Sequence, residues 1–355
     1  MEKKSVAVLF GGVSSEHDVS LASAENVISS IPTDKYDVYK IGITKDGRWF
    51  KYDGPTELKG SKWESHESCV PACILPDRGR RGITIFEGDE VKTIDIDCVF
   101  PVLHGKNGED GTMQGLMELA GIPCVGCDMI SSAMSMDKAI TNTIMDYAGI
   151  PQAKWLAVTK YDYAKSAEEF ISRAIDYLCL PIFVKPACAG SSVGVSKAND
   201  VEALIKAIEL AFKHDNKVVL EQTIVGREIE CAVLGNDELQ VATPCEIIPG
   251  SEFYDYESKY IDDTTKIELV AQLNAEQVAR LKALAMKTYK ALGCCGMARV
   301  DFFVSNDGEN MYLNEINTIP GFTPISMYPK MFENAGKSYS QLVSELIELA
   351  IEKSR

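Results

Sequence analysis

Apolar runs, broken at intervals by clusters of turn-forming residues, divide the chain. SVAVLF at residues 5–10 is a continuous apolar run that predicts a buried strand, and GGVSSEHDVS behind it predicts a loop entering a helix. YDVYKIGIT and IDCVFPVLH predict two further strands. After the second, GKNGEDG predicts a loop and TMQGLMELA a helix, with Thr112 as its N-cap, Gly121 as its stop and Pro123 beyond. Strands and helices alternate here, with strands feeding loops at one edge, where α/β sheets bind ligands. Residues 45–90 are polar and irregular and predict no clear element.

A second unit starts near Cys127. SMDKAITNTIMDYAG predicts one helix ending at Gly149, followed by a strand AKWLAVT, a helix over 164–178 and a strand PIFVKPA. A Gly/Ser loop, CAGSSVGVS, comes next, then a helix from about Asp200 and a strand KVVLEQTI. The last part predicts strands REIECAVLG and ELQVATPCEI, a loop over 250–265, a helix over 275–292, a hairpin and a closing helix over 339–353. Three units follow: 1–126, a parallel α/β domain on the substrate side; 127–220; and 221–355, two α+β domains.

Composition narrows the classes. The chain of 355 residues is 46% hydrophobic and 25% charged, enough to bury real cores. Its formal net charge of -16 disfavours nucleic acid as a partner, because phosphate backbones are bound by clustered Lys and Arg. No run approaches the roughly 18 uncharged apolar residues of a membrane span, and no secretory leader is evident, so a cytoplasmic location without membrane association is expected. Eleven cysteines are scattered and only four His are present, which reads as reduced thiols rather than a zinc site.

Two stretches carry chemistry. In RVDFFVSNDGENMYLNEIN, residues 299–317, alternation places Arg299, Asp301 and Phe303 on one face and Val300, Phe302 and Val304 on the other. A turn centred near Gly308 puts Asp301 opposite Glu315 and Arg299 opposite Asn317. Facing carboxylates need a positive charge between them, and Asp, Glu and Asn oxygens suit Mg²⁺; a solvated face with an Arg299–Glu315 ion pair is the plain alternative. In FVKPACAGSSVGVS, Lys185 ends an apolar strand just before a loop able to present N–H groups to phosphate oxygens. It matches neither a P-loop nor a dinucleotide fingerprint.

GGVSSEHDVS, LHGKNGEDGTMQG, SMDK, VKPACAGSSVG, FYDYESKY, RVDFF and NEINTIPGFT occur in this order. Together they resemble the D-alanine–D-alanine ligases of the ATP-grasp superfamily, and the resemblance spans nearly the whole chain. It implies an α/β ATP-grasp fold that holds ATP between two α+β units, and ATP-dependent joining of two D-alanines through an acyl phosphate, for peptidoglycan precursors. Lys138 and Lys185 match phosphate contacts, and Glu221 and Glu228 match adenine and ribose contacts. Asp301, Glu315 and Asn317 match the ligands of two Mg²⁺ (or Mn²⁺) ions. Arg299 and the N–H of Gly321 match transition-state donors, so Arg299 is expected not to serve chiefly as an ion-pair partner. Glu16 matches the residue that binds the first substrate's ammonium, linked to Ser191 and Tyr260. His104 falls in the first subsite, and Ser326 matches the residue holding the second substrate's carboxylate. Lys259 and Tyr260 sit on a lid over 250–265, and a homodimer is expected.

Gln222, the pair Cys188 and Ala189, and the pair Pro324 and Ile325 depart from residues often found in the family. Pro324, Ile325 and Met327 make the second subsite small and apolar. Serine-selective relatives tend to carry Arg where this chain has Met327. A D-serine or D-lactate acceptor is the alternative within the class. A non-catalytic ATP-binding sensor is the alternative outside it, disfavoured by the presence of Arg299, Asp301, Glu315 and Asn317.

Overall fold

The computed structural model describes residues 2–190, 192–248 and 266–353, arranged as three sheets. The first is built on β1 (Lys4–Gly11), flanked in parallel by β2 (Tyr36–Ile43) and β7 (Cys98–Pro101). β1 is apolar on both faces because both are covered. Val6, Val8 and Phe10 enter one core with α1 (His17–Ser30), while Ala7 and Leu9 enter another with α2 (Thr112–Ala120). The stretch over 45–90 is more regular than its sequence suggests. It supplies β3 (Trp49–Tyr52), β4 (Val70–Ile74) and β5 (Gly82–Glu87), and β6 (Glu90–Asp95) starts where it ends; the four extend the sheet antiparallel. β6 is the edge strand and mostly exposed, so it has no apolar alternation to read.

The helix expected over 135–149 is two. α3 (Met129–Met136) stops at Asp137, whose extended backbone caps α4 (Lys138–Ala148), and Gly149 ends α4 in the left-handed region. Thr112 is the first residue of α2 rather than its cap. Gly111 holds that position at φ +88, where a Cβ would lie 2.5 Å from the Met129 carbonyl oxygen.

The second sheet is antiparallel, in the order β10 (Ser196–Ala198), β9 (Ile182–Pro186), β11 (Lys217–Gln222), β8 (Trp155–Thr159). α5 (Lys160–Leu178) and α6 (Val201–Ala211) cover it with one apolar face each. The third runs β15 (Lys266–Glu268), β14 (Cys245–Ile248), β12 (Arg227–Leu234), β16 (Met297–Val304), β17 (Met311–Asn317), with β13 (Gln240–Val241) on β12. The single strand expected over 238–247 is thus broken into β13 and β14. α7 (Ala275–Ala291) covers one face, opened by an Asn274–Gln277 capping box. α8 (Met327–Asn334) and α9 (Tyr339–Lys353) lie in a core shared by β1, α1 and β12. That shared core brings the loops after β1 and β7 against the β16–β17 hairpin. The expected α/β ATP-grasp architecture is observed.

Candidate active site

The β16–β17 hairpin has the expected register: Arg299 pairs with Asn317 and Asp301 with Glu315. Val300, Phe302 and Val304 point into the core under α7. The turn closes through the Gly308 N–H to Ser305 O (2.8 Å), with Gly308 at φ +75. Beyond Asp301 the register shifts, and Phe302 faces Leu313. This bulge leaves Asn314 as the extra residue and turns its amide toward Lys185, whose Nζ donates to Asn314 Oδ1 at 3.5 Å.

Arg299 holds Asp301 in a two-point grip, Nε to Oδ1 at 2.8 Å and Nη2 to Oδ2 at 2.7 Å, and its Nε is 3.3 Å from Glu230 Oε1. Asn317 Nδ2 donates to Asp301 Oδ2 at 3.0 Å. Arg299 thus pairs with Asp301 and Glu230, where the plain alternative had offered Glu315. Burial works against its charge, but Asp301 and Glu230 outweigh it and keep the guanidinium protonated.

Between the second and third sheets lies a cleft of about 360 Å³, lined among others by Lys138, Lys185, Glu221, Glu228, Phe303 and Leu313. That volume is within the usual range of small-molecule sites. Lys185, next to last in β9, sits 2.6 Å from Glu221, which also accepts from Asn142 Nδ2 at 3.4 Å. Burial alone would lower the Lys185 pKa; the Glu221 carboxylate reverses this and raises it. Lys138 opens α4, where its N–H reaches Ala187 O (3.0 Å) and its Nζ reaches Ala189 O (2.7 Å). Burial pushes its pKa down, against the pull of Glu315. The phosphate-type loop is pinned further by the Cys188 N–H to Asp215 (2.7 Å) and by the ion pair of Lys217 with Asp137. Ser191, Lys259 and Tyr260 lie outside the described residues, as does the expected lid over 250–265.

A second, smaller cavity adjoins the cleft, and Lys138, Arg299 and Glu315 line both. Glu16 occupies the cap position of α1 but makes no side-chain capping bond, so simple capping does not explain it. Its carboxylate is buried against two backbones: a Cβ at Gly105 would sit 2.5 Å from Glu16 Oε2, and one at Gly190 3.0 Å. His104 Nδ1 donates to Ile319 O at 3.2 Å, so Nε2 accepts from Ser23 Oγ at 3.0 Å. Burial lowers the pKa of this imidazole and keeps it neutral. The Phe322 N–H reaches the same Ser23 Oγ (3.3 Å), and Asn26 Nδ2 donates to Phe322 O (3.1 Å). Helix α1 thereby fixes the loop that carries Gly321, whose N–H donates to no partner among the described residues. Ser326 Oγ accepts from the Thr323 N–H at 2.9 Å and meets Thr323 Oγ1 at 2.8 Å. Ile325 and Met327 line the cavity, but Met327 is mostly core. Pro324 is exposed and does not line it; Thr323 takes that place.

Glu109, Glu230 and Asn314 face these cavities and were not singled out from the sequence. In the sequence Glu109 is one acidic residue of the loop GKNGEDG. Its Oε2 accepts from the Gly105 N–H (2.7 Å) and its Oε1 from the Ile319 N–H (3.4 Å). Burial, then the nearby Glu16, lifts its pKa to about 8 from 4.5. A carboxyl raised in the folded state stabilises below its unfolded pKa, and that contribution is lost as pH rises through about 8. Tm is therefore expected to fall between pH 4.5 and about 8, and Glu109→Gln should flatten the fall. Equal slopes for the two proteins in a thermal scan would contradict this assignment.

Two carboxylates and an amide at Asp301, Glu315 and Asn317 form a hard-oxygen donor set. No three His, Cys, Asp or Glu among the described residues are grouped as a complete metal cage. A partial set of this kind fits Mg²⁺, which completes its shell with phosphate oxygens and water.

Comparison with known proteins agrees with the geometry. Family models described as "D-ala D-ala ligase N-terminus" and "D-ala D-ala ligase C-terminus" match residues 5–127 and 144–348. A D-alanine–D-alanine ligase of Caldicellulosiruptor bescii is 52% identical, with 100% of this chain and 97% of that protein covered. One of Acetivibrio thermocellus is 47% identical, with 99% and 97% covered. Among solved structures, the VanG D-Ala:D-Ser ligase from Enterococcus faecalis superposes with a TM-score of 0.90 at 44% identity, with 98% of this chain and 100% of that one covered. The D-alanine-D-alanine ligase from Coxiella burnetii gives 0.87 at 36%, with 100% and 95% covered. With both family models matched and half its residues shared with such a ligase end to end, the chain belongs to the D-alanine–D-alanine ligase family.

Proposed function

We propose that this chain joins two D-alanines to D-alanyl-D-alanine at the expense of ATP, as a step in peptidoglycan precursor synthesis. The supporting observation is the junction of the two cavities. Lys138, Arg299 and Glu315 stand on a wall shared by a nucleotide-sized cleft and a smaller, amino-acid-sized one. Phosphoryl transfer across that wall needs cations on both sides of the moving group.

Glu16 binds the ammonium of the first D-alanine and leaves its carboxylate facing Arg299. A carboxylate oxygen attacks the γ-phosphorus, ADP leaves, and the acyl phosphate now has a good leaving group. Lys138, Lys185 and Arg299 hold the negative charge of the transferred group. Asp301, Glu315 and Asn317 would hold Mg²⁺ or Mn²⁺, two ions in all, which when bound neutralise the ATP phosphates. Ser326 orients the carboxylate of the second D-alanine, whose neutral amine attacks the acyl carbon. The oxyanion that forms meets Arg299 and the Gly321 N–H, and phosphate then departs carrying the carboxylate oxygen and the proton released by the amine.

The likeness to a D-Ala:D-Ser ligase supports D-serine as a second acceptor. The walls near the acceptor favour a methyl group: Ile325 and Met327 are apolar, and the Thr323 hydroxyl is already engaged by Ser326. Hydroxyl burial without a partner costs about 1–3 kcal/mol, yet an apolar pocket rejects an added hydroxyl only about 10²-fold. With D-alanine and D-serine at equal concentration, D-alanyl-D-alanine is expected to dominate by mass spectrometry. A majority of D-alanyl-D-serine would assign the chain to the serine branch.

A further inference from the structure

Three carboxylates stand in one row across the third sheet. Glu230 on β12 lies opposite Asp301 on β16, and Asp301 lies opposite Glu315 on β17. Like charges directly opposite on neighbouring strands repel, and Glu230 and Asp301 are only 7% and 8% exposed. Arg299 is a cation paired with two of them. It grips both oxygens of Asp301 and keeps Nε 3.3 Å from Glu230 Oε1.

The arrangement contains a conflict. Asp301 is a proposed cation ligand, yet both its oxygens are in the grip of Arg299. A divalent cation and a guanidinium compete for one carboxylate and repel each other across it. For both to act together, Arg299 needs a second anion that keeps it at the reaction centre while Asp301 turns to the cation. Glu230 meets this requirement. It is buried, it is fixed on a central strand, and it lines both cavities together with Arg299. Its Oε2 accepts from Cys245 Sγ at 3.9 Å, which leaves Oε1 as the oxygen nearest the guanidinium.

We infer that Glu230 is a positioning residue that retains the Arg299 guanidinium when a divalent cation takes Asp301, so that cation and guanidinium occupy the site at once. This rests on the reading of Asp301 and Glu315 as cation ligands. Without Glu230, Arg299 stays on Asp301 and opposes the cation.

The test is Mn²⁺ binding in the presence of ADP, read from the loss of the free-ion EPR signal, with no turnover involved. Glu230→Gln should bind Mn²⁺ about tenfold more weakly than wild type, and in an Arg299→Met background the same change should matter by less than about twofold, since no guanidinium remains to be held. Glu230→Asp keeps the charge but withdraws it from Arg299, and should weaken binding about threefold or more. Wild-type affinity in Glu230→Gln or in Glu230→Asp would overturn the inference. So would an equal loss with and without Arg299, since Glu230 would then act on the cation by charge alone. Glu315→Gln separates the two readings: if it binds Mn²⁺ as wild type does, the cation site itself is wrong, whereas its loss alongside a normal Glu230→Gln rejects only the role of Glu230.

Discussion

Glu315→Gln is expected to lower the rate of dipeptide formation at least about 10³-fold, because a bound divalent ion contributes several kcal/mol of charge stabilisation to phosphoryl transfer. Glu315 stands where the cleft and the smaller cavity meet, opposite Asp301 in the hairpin. The amide keeps the size of the side chain, so circular dichroism should remain that of wild type. The change also removes a carboxylate whose field acts on the buried Lys138, Lys185 and Arg299. Lys138, already lowered by burial, would be lowered further. Turnover at the wild-type rate in saturating Mg²⁺ would show that the hairpin does not serve as a metal clamp.

Arg299→Lys is expected to cost about 10²–10³ in kcat, as for loss of one preorganised donor at a developing oxyanion. Lysine keeps the positive charge between Asp301 and Glu230, so the fold should survive. It cannot reproduce the two-point grip with Nε and Nη2 on Asp301. Arg299→Met is a different experiment. It leaves two buried carboxylates without their cation and should destabilise the protein by about 3–5 kcal/mol. Comparing kcat and Tm across the pair separates catalysis from folding. A lysine variant with unchanged kcat would remove Arg299 from the chemistry.

The hairpin was legible because two local signals agree. The Ser305–Gly308 turn fixes the register, and alternation assigns the faces, so Asp301 and Glu315 could be paired from sequence. The bulge at Asn314 could not be foreseen, since nothing in MYLNEIN marks an extra residue. Strand-terminal Lys185 and its Gly/Ser loop were legible for the same local reason. Its ion pair with Glu221 was not, because the β9–β11 pairing joins segments with a helix between them. Glu230 left a partial trace in REIECAVLG, where two Glu fall on one face of an apolar strand. Its meaning depends on β12 lying beside β16, a neighbour relation that crosses α7 in the chain. Glu109 left none: a buried carboxyl in GKNGEDG reads as a solvated loop until the fold closes over it. The strands within 45–90 are short, and β6 at the edge is mostly exposed. Their order comes from the neighbouring strand rather than from their own periodicity.

The central claim, ligation through an acyl phosphate at the junction of the two cavities, is tested most directly by following oxygen. With ATP, Mg²⁺ and D-alanine labelled with ¹⁸O in its carboxylate, attack on the γ-phosphorus makes a carboxylate oxygen the bridge, and departure of phosphate carries it away. One ¹⁸O per phosphate, formed in step with D-alanyl-D-alanine, is the predicted result in mass spectrometry. Dipeptide accompanied by unlabelled phosphate would contradict the account.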